Sequence, residues 1–146
     1  MSAQEEEMRQ NMEELQATQE EAGRKNSEME NFMSGLDQAT SIVEYNPQGF
    51  IIHANENYLN LLNLRQEEVL GIHHSDKMEF TKKQKAEYDK FWRDLKNGFS
   101  KKEKTTFIVR DKEIILFEVY TPIKDENGIV KKIIKISNDI SDFEEL

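Results

Sequence analysis

The first forty residues carry one narrow apolar stripe on an otherwise polar and acidic segment. The stripe recurs at alternating steps of four and three residues, a spacing typical of a coiled coil. Its positions are Met8, Met12, Leu15, Gln19, Ala22, Asn26, Met29, Met33 and Leu36. Such a stripe has too little apolar area to cover a globular core but enough to pair with a copy of itself. We therefore predict a coiled-coil helix over residues 1–37 and a folded domain over residues 38–146.

The predicted seam is imperfect, because Gln19 and Asn26 occupy core positions and Ala22 is small. The neighbouring Gly23 costs roughly 1 kcal/mol of helix propensity relative to alanine. Polar core residues fix the register of a coiled coil at the expense of its stability. We expect a weak parallel homodimer, with a solvated single helix as the alternative.

The composition excludes several functional classes. The 146 residues contain no cysteine, so disulfides, thiolate metal ligands, cysteine nucleophiles and cysteinyl adducts to a flavin are all ruled out. No apolar run approaches the roughly 20 residues that a membrane-spanning helix needs. The acidic opening also lacks the features of a signal peptide. We expect a cytoplasmic chain whose residues make no membrane contact.

The charge is concentrated at the N-terminus. Residues 1–40 hold ten acids and three bases, which accounts for −7 of the formal net charge of −9. A surface of this sign repels a phosphate backbone, and no basic stripe with interleaved aromatic residues occurs anywhere in the chain. Nucleic acid is therefore not an expected partner.

After Asp37 the hydrophobic pattern changes from a helical period to alternation. Two strands joined by the turn at 46–49 are predicted first, followed by short helices that Asn55 begins and Gly71 ends. A longer amphipathic helix over residues 81–97 comes next. The predicted strands cover residues 41–45, 50–54, 104–110, 113–123 and 129–138. This order predicts an α+β fold, a five-stranded antiparallel sheet with its helices on one face.

Six short motifs in this region resemble the PAS domain, the sensor module of bacterial histidine kinases, chemotaxis receptors and cyclic-nucleotide enzymes. The motifs are NPQGFI at 46–51, ANENYL at 54–59, EEVLG with HHS at 67–75, FWRDLKNG at 91–98, YTPI with DENG at 120–128, and NDIS at 138–141. The resemblance covers residues 41–143 and implies a PAS fold. Residues 13–21 are also similar to the helices that precede PAS domains in signalling proteins. Where the family often has Gly-Tyr after its first helix, this chain has Asn63-Leu64.

His73 and His74 are the most reactive pair of residues in the sequence, because an imidazole can ligate haem or zinc. Two neighbouring side chains do not normally face one metal ion, and no cysteine or further nearby histidine completes a set, so we expect no zinc or other metal site. Haem ligation by either histidine stays open. The favoured interpretation is one packed ring and one solvated ring.

Phe91 and Trp92 are candidates to line a cofactor cavity, although core packing is favoured for Trp92. No motif identifies a cofactor, and haem or noncovalent flavin remain alternatives. The strand positions predicted to face inward are Phe107, Val109, Phe117, Val119, Ile134 and Ile136. A pocket beside them would be small and would take an apolar ligand, or would be filled.

No catalytic motif is present, so we expect no enzyme. The resemblance implies a sensory or relay module of a multidomain signalling protein, such as a two-component or chemotaxis protein. In it Asp139 and Ile140 would transmit a change to a downstream effector domain. The chain ends soon after these residues, and we expect it to be a fragment of a longer bacterial sensor. A pure dimerisation scaffold and a haem or flavin sensor are the alternatives.

Overall fold

The computed structural model describes residues 2–76 and 78–144, with the backbone alone at Phe143 and Glu144. The outer ends of both predicted segments, Met1 and residues 145–146, lie outside the described residues. The chain divides into two compact units, residues 1–38 and residues 39–146. The helices are α1 (Ala3–Ala39), α2 (Glu56–Leu62), α3 (Gln66–Val69), α4 (Lys82–Lys96) and α5 (Ser141–Glu144). The strands are β1 (Ser41–Tyr45), β2 (Ile51–Ala54), β3 (Lys101–Val109), β4 (Lys112–Lys124) and β5 (Val130–Asp139).

The first unit is the predicted N-terminal helix. α1 runs for 37 residues, and none of its residues is buried. Its seam lies in solvent, with Met8 65%, Met12 69% and Leu15 58% exposed. A helix of this length gains little stability from propensity alone and depends on packing of its apolar face.

The second unit is a five-stranded antiparallel sheet in the order β2-β1-β5-β4-β3. The α+β fold predicted from the sequence is confirmed. β5 lies at the centre because β1 and β4 both pair with it. The core forms on one face of the sheet, where Trp92 and Leu95 of α4 meet β1, β4 and β5.

Two turns adopt the left-handed backbone conformation without glycine. Asn63 ends α2 in the left-handed conformation at φ 56°. In the hairpin between β3 and β4, Arg110 and Asp111 have φ values of 53° and 62°. This is the two-residue turn geometry that matches strand twist, and it favours Asn, Asp and Gly.

The inward face of β4 and β5 differs from the predicted one. The buried residues are Ile114, Leu116, Glu118, Tyr120, Ile133, Lys135 and Ser137. The predicted Phe117, Val119, Ile134 and Ile136 lie on the opposite face, and Phe117 is 37% exposed. The prediction was wrong by one residue in both strands, which moves every side chain to the other face. It failed because the true inward face contains a glutamate and a lysine, so its apolar pattern is interrupted.

In β3 the residues predicted to face inward do so in the structure. Phe107 pairs with the buried Ile114, so Phe107 and Val109 lie on the inward side.

Glu118 and Lys135 form an ion pair within this core. Their charged atoms are 3.1 Å apart, and their side chains are 2% and 4% exposed. Glu118 also accepts hydrogen bonds from the hydroxyls of Thr105, at 2.7 Å, and Ser137, at 3.2 Å. The ammonium of Lys135 lies 4.9 Å from the centre of the Tyr58 ring. The pair is therefore fully satisfied by its surroundings, as a buried charge requires.

The Lys135 ammonium is stabilised in its charged form. Burial by itself lowers the pKa of Lys135, but its contacts with the oxygens of Tyr45, Tyr58 and Glu118 outweigh burial and raise it. The ammonium consequently keeps its charge throughout the physiological range.

Replacing one member of the pair should be far more costly than replacing both. We expect Lys135→Met to lower the free energy of unfolding by about 3–5 kcal/mol, because Glu118 is left buried without its counterion. The double variant Glu118→Gln with Lys135→Met should recover most of that loss, since no charge remains uncompensated. Urea denaturation of the three proteins measures both effects. A loss below about 1 kcal/mol for the single variant would contradict the importance assigned to the pair.

Candidate functional site

His74 lies inside a cluster of aromatic rings between α4 and the sheet. The rings around it belong to Tyr45, Tyr88, Phe91, Trp92 and Tyr120, with centroids 5.2 to 6.4 Å from the imidazole. Those of Tyr88 and Trp92 stack on it, and those of Tyr45 and Tyr120 meet it edge-on. α4 supplies three of the five rings because residues three and four apart share one helix face.

Both nitrogens of His74 are hydrogen-bonded to tyrosine hydroxyls. Nδ1 lies 3.0 Å from the Tyr88 oxygen, and Nε2 lies 2.8 Å from the Tyr120 oxygen. A neutral imidazole satisfies this arrangement by donating from one nitrogen and accepting at the other. Burial, followed by the positive charges of Lys135 and His73, lowers the pKa of His74 from 6.5 to about 3. His74 is therefore neutral at physiological pH and links α4 to β4.

His73 is held in a different place from His74. Its Nδ1 lies 2.7 Å from the Ser75 hydroxyl, and its Nε2 lies 2.7 Å from the carbonyl oxygen of Gln48 in the turn between β1 and β2. His73 and His74 are both half-buried, whereas the sequence favoured one packed ring and one solvated ring.

The turn between β1 and β2 packs tightly under α4. The indole N–H of Trp92 donates to the carbonyl of Pro47 at 3.0 Å. Gly49 has a φ of +96°, and a Cβ there would lie 2.7 Å from His73 Nε2 and 3.1 Å from the Trp92 ring. Glycine is required on both counts, because other residues rarely adopt this φ and no side chain fits.

A pocket of about 480 Å³ opens beside His74. It is lined by Met78, Glu79 and Phe80 ahead of α4, by Gln84, Glu87, Tyr88 and Phe91 of α4, by Glu103 of β3, and by His74 itself. Its volume falls in the range of small-molecule sites, roughly 300–1,000 Å³. The predicted pocket was apolar, whereas this one carries three carboxylates, so sequence reasoning missed both its position and its charge.

Glu103 lines the pocket and is also a neighbour of the buried ion pair. It stands directly opposite Glu118 in the pairing of β3 with β4. Partial burial, and then repulsion from Glu118, raise the pKa of Glu103, although the residue keeps more than a third of its surface exposed. Glu103 therefore lies both at the pocket and opposite a member of the buried ion pair.

The last predicted site residues lie where β5 ends. Asp139 Oδ1 accepts hydrogen bonds from the Ser141 amide, at 2.9 Å, and from the Ser141 hydroxyl, at 2.6 Å. The Ser141 hydroxyl accepts in turn from the amide of Ile115 at 2.9 Å. The amide of Ile140 donates to the carbonyl of Ile115 at 2.8 Å. The start of α5 is thus hydrogen-bonded to Ile115, near the start of β4.

Of the two aromatic candidates, only one lies at the pocket. Phe91 lines the pocket, whereas Trp92 is 6% exposed and belongs to the core. Tyr88 and Tyr120 were not selected as site residues, although Tyr88 shares the helical spacing of Phe91 and Trp92. Tyr120 could not be recognised because its partner His74 is 46 residues away.

The residues do not fit a haem or a flavin. Both nitrogens of each adjacent histidine are engaged by protein oxygens, so neither has a lone pair available for iron. The inner face of the sheet is filled by Tyr45, Trp92 and the Glu118–Lys135 pair, which leaves no room there for a planar ring. Among residues 2–76 and 78–144, no cluster of three or more metal-binding side chains occurs.

The antiparallel sheet, the helices over its inner face and the hydrogen-bonded exit from β5 define a PAS-type sensor fold. Residues 38–142 match the PAS domain family, and the chain belongs to that family. PAS domains are sensory rather than catalytic modules.

The chain is similar to the biofilm dispersion protein BdlA of Pseudomonas aeruginosa. The two are 34% identical over 109 residues, which make up 74% of this chain and 26% of that protein. The chain therefore spans about a quarter of the length of this signalling relative.

Solved structures share the fold at low sequence identity. A light-oxygen-voltage domain studied with a flavin analogue has a TM-score of 0.61 and 18% identity, over 79% of this chain and 89% of that one. The PAS domain of an HTR-like protein from Haloarcula marismortui has a TM-score of 0.55 and 18% identity, over 81% and 99% of the two chains. In the part of the chain that the structure describes, no helix has the length and apolar character to cross a membrane.

The buried neutral state of His74 predicts a specific acid lability. In the unfolded chain His74 takes up a proton near pH 6.5, whereas in the folded protein it does so only near pH 3. The free energy of unfolding therefore decreases as the pH falls from 6.5 to 3. Lowering the pH from 7 to 4 should cost roughly 3 kcal/mol through this residue. His74→Gln should remove this contribution from the pH dependence of the free energy of unfolding. Urea denaturation at several pH values measures that dependence.

The control for this experiment is His53→Gln, which alters an exposed histidine on β2. It should keep the pH profile of the wild type. If His74→Gln is too unstable to analyse, His74→Phe keeps a ring in the cluster and serves the same purpose. An unchanged slope in a folded His74 variant would contradict the neutral buried imidazole.

Proposed function

We propose that this chain is a dimeric sensory or relay module of a larger cytoplasmic signalling protein. In it α1 receives or carries the input, the pocket beside His74 binds a small ligand, and the exit at Asp139 and Ile140 passes the change to a downstream effector domain. The single observation that carries the proposal is the chain of neighbouring polar residues that leads from the pocket, across β3 and β4, to the exit from β5. A pure dimerisation scaffold would have no use for such a path.

The path runs through polar residues across three strands. Glu103 at the pocket faces Glu118, and Glu118 bonds to Lys135 and Ser137 of β5. Ser137 lies two residues before Asp139, whose carboxylate fixes the exit. A two-state element of this kind needs states that differ by only a few kcal/mol. Charged groups in a core supply such differences, because small displacements change their interaction energy strongly.

A homodimer through α1 is the second element of the proposal. The seam residues Met8, Met12, Leu15, Met29 and Met33 are between 43% and 69% exposed in the single chain. Exposed methionines and leucine at heptad spacing are stabilised by a facing copy of the same helix. Gln19 and Asn26 keep that association weak enough to respond to a signal.

The dimer is tested by replacing a seam residue and its neighbour. Leu15→Asn should raise the dimer dissociation constant at least tenfold, because it places an amide at a core position of the coil. Gln16→Asn, one residue away and off the seam, should leave the constant unchanged. Sedimentation equilibrium measures both. Since Leu15 and Gln16 are both exposed in one chain, equal effects would contradict the seam.

The exit is tested by removing the Asp139 carboxylate. Asp139→Ala should increase hydrogen exchange at the amides of residues 140–144 about tenfold or more, while the sheet amides keep their protection. The matched control is Asp125→Ala, because Asp125 Oδ1 also accepts two backbone hydrogen bonds, from Asn127 and Ile129. That variant should loosen only its own turn. Global unfolding of Asp139→Ala would overturn its role as an exit residue.

A further inference from the structure

The pocket beside His74 combines aromatic rings with uncompensated negative charge. Phe80, Tyr88 and Phe91 supply rings, and Glu79, Glu87 and Glu103 supply carboxylates. Among the described residues of the lining there is no lysine or arginine. None of these three carboxylates forms an ion pair or hydrogen bond with another residue that the structure describes. The lining therefore offers a cation both π faces and carboxylate groups.

An ammonium group of the chain lies within reach of two of these rings. The Lys85 Nζ lies 5.5 Å from the centre of the Tyr88 ring and 5.9 Å from that of Phe80. Both distances fall within the roughly 6 Å range of cation–π attraction. Lys85 is not part of the pocket lining and is paired with Asp89 at 3.0 Å.

A compact metal ion is not the cation that this geometry suits. Metal sites require oxygen or nitrogen ligands converging within a few ångströms of one point. The pocket's carboxylates do not form such a group within the described part of the chain. A larger cation that spreads its charge over carbon and nitrogen can contact the rings and reach separated carboxylates in a volume of about 480 Å³.

We propose that the pocket binds a small organic ammonium ion, with its cationic head against the Tyr88 and Phe91 rings and its charge balanced by Glu79, Glu87 and Glu103. This proposal rests on the sensory role assigned to the pocket and names the class of ligand. Burial, and then repulsion from Glu118, raise the pKa of Glu103, and a bound cation would offset both effects. The neutral His74 beside the rings adds no positive charge to oppose it.

The probe is benzyltrimethylammonium, compared with benzyl alcohol and phenylacetate as neutral and anionic counterparts of similar shape. Titrations of the full chain are followed by calorimetry and by NMR shifts of the Tyr88 and His74 amides. The ammonium ion should bind with a dissociation constant in the millimolar range or tighter, at least tenfold more tightly than either counterpart. Added sodium chloride should weaken it, because the carboxylates are solvent-accessible.

The variants separate charge from shape. Glu103→Gln should weaken binding of the ammonium ion at least fivefold, and Tyr88→Leu should do the same by removing a ring. Tyr88→Phe keeps the ring and should retain binding. The control Glu113→Gln removes an exposed carboxylate on the opposite face of β4 and should change nothing.

Two outcomes would overturn the proposal. Equal binding of all three probes would show a pocket without charge selection, and the sensory role would survive. Absence of ammonium binding would remove the ligand class, while the dimer and exit experiments would still decide the proposed function separately.

Discussion

The ion pair between Glu118 and Lys135 is the constraint around which this domain is arranged. Placing two charges inside a core requires partners for every polar atom, and Thr105, Ser137 and the tyrosines provide them. Tyr45, Tyr58 and Tyr120 face the same interior, and burial raises the pKa of Tyr45 and of Tyr120. The interior is thus a closed polar and aromatic network, and the remaining space lies at its edge, beside α4.

The same network explains why the site is organised by His74. The His74 imidazole has two tyrosine partners, and burial, followed by the nearby Lys135 charge, lowers its pKa so that the neutral ring is favoured. His73 has a different role, because its Nε2 is hydrogen-bonded to the Gln48 carbonyl in the turn between β1 and β2. Two adjacent residues of one type therefore have separate structural roles, in agreement with the expectation that their side chains diverge.

The order of helices and strands could be predicted from the sequence because it depends on local signals. The turn at 46–49, the cap at Asn55 and the spacing of Tyr88, Phe91, Trp92 and Leu95 each identify one element. The motifs around Asn46 and Asp139 then identified the family. What could not be predicted depends on pairing across the sheet. The facing of β4 and β5 was misjudged since apolar residues occur on both faces, and the inward one contains Glu118 and Lys135. The contact of His74 with Tyr120, and that of Glu103 with the pocket, arise only in the folded chain.

Trp92 gives the molecule an internal optical probe. It is the only tryptophan, its indole N–H is bonded to the Pro47 carbonyl, and its ring stacks 5.2 Å from His74. Indole emission responds to nearby imidazole and tyrosine rings and to the loss of a hydrogen bond. Any rearrangement that moves α4 relative to the first hairpin will therefore change the emission wavelength or the intensity of the Trp92 fluorescence. The conformational state of this domain can be followed in real time without a label and without an attached effector.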